Sequence, residues 1–221
     1  MEKFKELNQE IYNFVKSANT QLPYEDRIYY SCNFISGKLE NPKYLFVGLN
    51  PGYGEPWKNR PSLTFKPWIP IPIGEYYLKN SLEELYGSEI LKTCALINLH
   101  PIATPDGEIL DTQTQKLCEL GLGKQYEEIK RKILGTVIEQ VKPKEIVCIG
   151  VQTFDIFAKI YKLKIEVAKK RSNGHRLYLR SARKENFPNV HGVVHLTGAR
   201  PPLDSNEKEV LKNCLNGENN G

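Results

Sequence analysis

The chain has 221 residues, 40% of them hydrophobic and 26% charged, and a formal net charge of +5. That content is enough to bury a core, which excludes intrinsic disorder as the main state. No apolar run approaches the roughly 20 residues that a membrane-spanning helix requires. The opening Met1-Glu2-Lys3-Phe4-Lys5 interleaves charged and apolar residues, unlike the apolar stretch of a secretory leader. The five cysteines (Cys32, Cys94, Cys118, Cys148 and Cys214) form no CxxC pair, which argues against a zinc ribbon or a cysteine-ligated iron–sulfur cluster. Several lie in apolar runs, where a buried reduced thiol is expected, so the chain reads as a cytoplasmic protein.

In chain order, Phe4, Leu7, Ile11, Phe14 and Val15 recur at helical spacing and predict an amphipathic helix over about 3–18. Tyr44-Leu45-Phe46-Val47 is a short buried strand ending at Gly48 and followed by turn residues. Residues 51–72 carry six of the fourteen prolines and predict a long ordered loop. A helix near 78–86 leads to a second strand, Cys94-Ala95-Leu96-Ile97, that ends at Asn98, and then to a polar loop. A helix over 126–141 is stopped by Pro143, and a third strand over 145–149 ends at Gly150 before a helix over about 152–161. Residues 176–180 alternate polar and apolar, as an edge strand or hairpin arm does. A fourth strand over 190–194 ends at His195. Asp204 with Glu207 three residues on predicts a capping box opening a last helix to about 215, before a frayed tail over 216–221. Uniformly apolar strands alternating with helices predict a single α/β domain over 1–215, a three-layer α/β/α sandwich around a mainly parallel four-stranded core sheet.

Charge is unevenly spread. Residues 159–184 hold ten Lys or Arg against one acid, Glu166. Such a stripe suits a polyanion such as nucleic acid, or equally an ordinary solvated face.

Ligands of open parallel sheets bind beyond the C-terminal strand ends. Those ends are Gly48-Leu49-Asn50-Pro51-Gly52, Asn98-Leu99-His100-Pro101, Gly150-Val151-Gln152 and His195-Leu196-Thr197-Gly198. No phosphate-cradling glycine loop and no GxSxG elbow follows any of them. What remains is a site of Asn, Asn and His with no carboxylate. It suits departure of a leaving group whose developing negative charge is stabilised. His191 and His195 are four apart, but on a strand that spacing leaves them distant, so no metal is expected.

These segments, in this order, resemble the motifs of the uracil-DNA glycosylase superfamily, most nearly its mismatch-specific and single-strand-selective branches. Phe46-Val47-Gly48-Leu49-Asn50-Pro51-Gly52 resembles G-(I/M)-N-P-G, and Leu96-Ile97-Asn98-Leu99-His100-Pro101-Ile102 resembles the segment with the base-recognising Asn, written N-x-C-P-L in one branch. Ile146-Val147-Cys148-Ile149-Gly150 is similar to the third strand, and Val194-His195-Leu196-Thr197-Gly198-Ala199-Arg200 to the last motif, H-P-S-P-(L/R) or N-P-S-G-L. The resemblance covers about 43–212. It implies a cofactor-free monofunctional DNA glycosylase in which Asn50 positions the hydrolytic water and His195 donates to uracil O2. Asn98 matches N3–H and O4, and Gly48, Leu49 and Gly52 line the base. An aromatic stacks on the flipped base, with Phe65 the first choice and Trp57 and Trp68 its rivals. Thr197, Gly198, Ala199 and Arg200 would touch DNA, either single-stranded or a mismatched duplex, bound by a monomer.

The departures carry information too. Gly52 stands where the uracil-restricted branch has a tyrosine, leaving space for 5-substituted uracils. Leu196-Thr197 replaces Pro-Ser, and Ala199 is too small to fill the hole left by a flipped base. Without the resemblance, Asn50 is more often a turn residue, while Asn98 is equally a strand-end cap, His195 a structural histidine and Phe65 simple packing. Two rival readings follow: a non-catalytic module recognising a modified base, nucleotide or protein partner, and an unrelated α/β enzyme acting on a nucleoside or nucleotide.

Overall fold

A computed structural model of the chain describes residues 1–31, 34–51, 65–73, 79–104, 107–171, 177–194 and 203–216, with residues 214–216 described by their backbone alone. The elements are α1 (Glu2–Asn19), a 3-10 turn (Tyr24–Asp26), β1 (Tyr29–Tyr30), β2 (Ile35–Gly37), β3 (Tyr44–Gly48), α2 (Lys79–Tyr86), α3 (Ser88–Leu91), β4 (Cys94–Asn98), β5 (Ile102–Ala103), α4 (Gly107–Glu119), α5 (Gly123–Val141), β6 (Glu145–Ile149), α6 (Val151–Tyr161), β7 (Lys164–Lys170), β8 (Leu177–Arg183), β9 (Asn189–Val193) and α7 (Ser205–Asn216). Among the described residues no helix is long and apolar enough to cross a membrane.

Contacts divide the chain into two compact units: Met1–Ile35, Leu49–Pro70 and Asn98–Gln140 form the first, and Ser36–Gly48, Ile71–Ile97 and Val141–Gly221 the second. In the first, α1 buries the stripe its spacing predicts, Phe4, Leu7, Ile11, Phe14 and Val15. Trp68 is 3% exposed and packs edge-on against Phe4 at 5.3 Å. Phe14 stacks on Tyr126 of α5 at 5.7 Å. The described end of the proline-rich stretch is tied down: Asn8 Nδ2 donates to the Lys66 carbonyl at 2.8 Å, and the Tyr30 hydroxyl donates to the same oxygen at 3.3 Å. The stretch expected as a polar loop contains α4. Only Leu110 and Leu117 of α4 are buried, two turns apart, so its apolar stripe is too thin to stand out in sequence.

The second unit carries a seven-stranded sheet in the order β2-β4-β3-β6-β9-β8-β7. The four expected core strands sit side by side at its centre, β3 parallel to β6 and β6 parallel to β9. The sheet is nevertheless mixed and wider than four strands, because β8 adds antiparallel to β9 and β7 antiparallel to β8. Tyr44, Phe46, Val147, Ile149 and Val193 line one face and cluster with Leu82 of α2 and Leu211 of α7. Helix α6 covers the other face so closely that a Cβ at Gly192 would lie 2.5 Å from Phe154. Helices therefore cover both faces of this sheet. The strand order reverses between β3, whose chain goes on to β4 on one side, and β6, whose chain goes on to β9 on the other.

The 176–180 segment belongs to β8, a hairpin arm but an interior strand; the edge is β7, from within the basic stripe. Every residue of β7 is exposed and its pairing is broken by two register shifts, so it shows no buried alternation to read. Lysines on a bulged edge also discourage pairing with another sheet.

The capping box forms as its sequence predicts: Glu207 N donates to Asp204 Oδ1 at 2.8 Å, and Asp204 N to Glu207 Oε2 at 3.0 Å. Glu207 also receives Arg171 in a two-pronged pair, Nε to Oε1 at 3.1 Å and Nη2 to Oε2 at 3.0 Å, with both side chains 5% exposed. Stranding one charge of a buried pair is expensive. Arg171→Ala should cost about 3–5 kcal/mol in urea unfolding, and a loss below about 1 kcal/mol would contradict this account of the pair.

Candidate functional site

Where the chain leaves β3, Gly48 is buried and Leu49 and Asn50 are half-buried. The Leu49 carbonyl accepts the His100 amide at 2.8 Å, and the Pro51 carbonyl accepts the Thr104 amide at 3.2 Å. Residues 49–51 are thus laced by backbone bonds to the stretch after β4. Three of the described buried polar side chains fall in that stretch: Asn98 and His100, each 7% exposed, and Thr104, fully buried.

Asn50 is held by its nitrogen. Nδ2 donates to Thr104 Oγ1 at 2.7 Å, to the Pro51 carbonyl at 3.1 Å and to the Thr104 carbonyl at 3.2 Å. Backbone carbonyls only accept, so the amide orientation is fixed with NH₂ inward. Oδ1 has no hydrogen-bond partner among the described residues and remains an acceptor.

The Asn98 backbone amide donates to the Phe34 carbonyl at 3.3 Å, while its side-chain amide has no hydrogen-bond partner among the described residues. On a residue 7% exposed, that leaves a donor and an acceptor for a ligand or water to meet.

His100 Nδ1 lies 2.8 Å from the Tyr126 hydroxyl. Burial, with the Lys130 ammonium second, pushes the imidazole down to about 3, so it is neutral across the physiological range. Burial, with Glu127 second, pushes the Tyr126 phenol well above its ordinary value. Nε2 has no partner among the described residues. Sequence reasoning places His100 beside Asn98 but gives it no role, and it passes over Thr104 and Tyr126. Nothing in their local pattern marks them, because their relevance comes from contacts 54 and 26 residues away.

Phe65 is 37% exposed, and its ring meets Tyr12 of α1 edge-on at 5.3 Å. Trp68 is part of the core of its unit. Gly52, Trp57, His195, Thr197, Gly198, Ala199 and Arg200 lie outside the described residues. Asn50 and Asn98, with Gly48 and Leu49 beside them, are the expected site residues found at the strand exits.

His191 belongs to another environment. Its Nδ1 lies 2.9 Å from Ser181 Oγ and its Nε2 3.7 Å from Glu145 Oε2, and burial, with Arg183 second, pushes it down to about 4. Cys94 and Cys148 are buried thiols, Cys94 pushed up to about 11 by burial and Cys148 further still.

No protein-family model matches the chain, and no curated protein matches it.

Both depressed imidazoles carry a pH consequence. An unfolded histidine titrates near 6.5, whereas the folded ones stay neutral down to about 3 and 4. In between, the unfolded chain binds more protons, so stability is fully present above about 6.5 and falls as pH drops toward the folded values. The urea midpoint should decline between about pH 7 and pH 4.5, and less steeply in His100→Gln. An equal decline in that variant would contradict the assignment.

Proposed function

We propose that this protein is a monofunctional DNA glycosylase of the uracil-DNA glycosylase type, which flips uracil or a 5-modified uracil out of DNA and hydrolyses its N-glycosidic bond. The observation that carries the reading is the fixed amide of Asn50. Anchored through Nδ2, it presents Oδ1 as the acceptor that a water needs in order to be aimed at the sugar C1′. A neutral amide cannot take that water's proton, so base departure runs ahead of water attack, and the leaving anion needs stabilisation. Asn98 has the donor and acceptor that uracil's N3–H and O4 require, and its amide is unpartnered. The motif order and the helix-covered α/β sheet support the same reading. His195 takes the part of the donor to O2 by its place in the last motif. The reaction needs no metal or organic cofactor, and the protein acts as a monomer. Two buried thiols suit the reducing cytoplasm.

The test incubates purified protein, in EDTA, with oligonucleotides holding one uracil, single-stranded or opposite G or A, and reveals abasic sites with alkali. Base release by the wild type, reduced about a hundredfold or more in Asn50→Ala, is expected. Thr104→Val removes the shortest anchor of Asn50 and should slow release while leaving the fold intact. No release from uracil or from 5-substituted uracils, with DNA still bound, would move the assignment to a non-catalytic binding module.

DNA binding by the basic stripe is part of the proposal. Three of its arginines are paired: Arg171 with Glu207, Arg180 with Asp155, and Arg183 with Glu166 at 3.4 Å. The exposed lysines of β7, Lys164, Lys169 and Lys170, are in no ion pair among the described residues and can meet phosphates, as can the exposed Lys159 and Lys162. Replacing all three with Ala should weaken DNA binding and flatten the log–log salt slope by about 0.9 for each phosphate that is no longer neutralised. A wild-type affinity indifferent to salt would contradict this role.

A further inference from the structure

Tyr126 is fully enclosed, and His100 Nδ1 is its only hydrogen-bond partner among the described residues. A buried hydroxyl proton left unbonded is costly, and Nδ1 is the acceptor within reach. The phenol stays protonated and therefore donates, so Nδ1 carries no proton. In a neutral imidazole the proton must then be on Nε2. His100 thus ends in an N–H donor without a partner, on a residue 7% exposed, two positions beyond Asn98 and bonded through its backbone to Leu49. Asn98 and His100, two residues apart and each 7% exposed, both have polar side-chain atoms with no hydrogen-bond partner among the described residues. Each can donate, and a carbonyl oxygen has two lone pairs to receive them.

We infer that His100, held in the Nε2–H tautomer by Tyr126, is a second base-reading donor that works with Asn98 on a carbonyl oxygen of the bound base. The inference rests on the base-excision reading of the same site and narrows its substrate class. Uracil and 5-substituted uracils offer a carbonyl acceptor opposite Asn98. Cytosine puts an amino group there, which would face two donors and leave both unsatisfied. Tyr126 is a positioning residue, since it acts on the base only through the imidazole.

The test uses the intact protein labelled with nitrogen-15 in histidine and asparagine, at neutral pH. Ring nitrogen shifts report the tautomer of His100, and free uracil, the reaction product, is then titrated in. The expected result is an Nε2–H tautomer whose Nε2–H resonance moves together with the Asn98 side-chain amide as uracil binds. An Nδ1–H tautomer, or an unmoved Nε2–H while the Asn98 amide responds, would overturn the inference and leave the base-excision reading standing. No response from either residue would overturn both. As a second arm, His100→Leu should weaken uracil binding about 3–10-fold, and His100→Gln, which keeps a donor, should restore most of it. Tyr126→Phe should shift the tautomer population toward Nδ1–H with the fold retained, an effect that packing alone does not produce. Equal weakening in the Leu and Gln variants would overturn the donor role.

Discussion

The candidate site depends on the lacing of residues 49–51 to residues 98–104. A side-chain amide at a turn is ordinarily free to rotate and to exchange one partner for another. Here Asn50 spends its donors on Thr104 and Pro51, and backbone bonds from His100 and Thr104 hold the turn in register. The consequence is an acceptor of fixed direction without the pull of a charged group. Chemistry that relies on such a group must draw its driving force from the leaving group, which is why the neutral character of the neighbours matters as much as their position. Burial keeps His100 uncharged, and an uncharged donor can meet a forming anion without binding it tightly beforehand.

Much of the fold was legible because the core strands are buried on both faces. Residues 44–48, 94–97 and 146–149 read as unbroken apolar runs for that reason, and the helices packed on them repeat at the helical period. The capping box of α7 was legible because its two bonds are local. The misses have physical causes too. Helix α4 buries two residues, and β7 buries none, so neither leaves a periodic trace. The width and mixed direction of the sheet come from β8 pairing antiparallel with β9 and β7 with β8, and β7, exposed along its whole length, leaves no alternation to read as a strand.

The site divides along the same line. Asn50 and Asn98 stood out as polar residues ending apolar runs. Thr104 and Tyr126 did not, since each matters through one contact distant in sequence. The basic stripe was visible as charge, but the pairing of Arg171, Arg180 and Arg183 was not, and it shifts attention from the arginines to the lysines of the edge strand. Arg171 turns out to serve α7: it completes the hydrogen bonding of a capping glutamate that the sequence marks only for its local bond.

The most direct measurement is a crystal structure of the protein with DNA carrying 2′-fluoro-2′-deoxyuridine, whose fluorine disfavours the cationic sugar and so preserves the glycosidic bond. The account predicts a flipped uracil with its Watson–Crick edge on Asn98, and a water bonded to Asn50 Oδ1 facing C1′. A base seated away from Asn98, or an Asn50 turned from Thr104 with no water beside C1′, would contradict it.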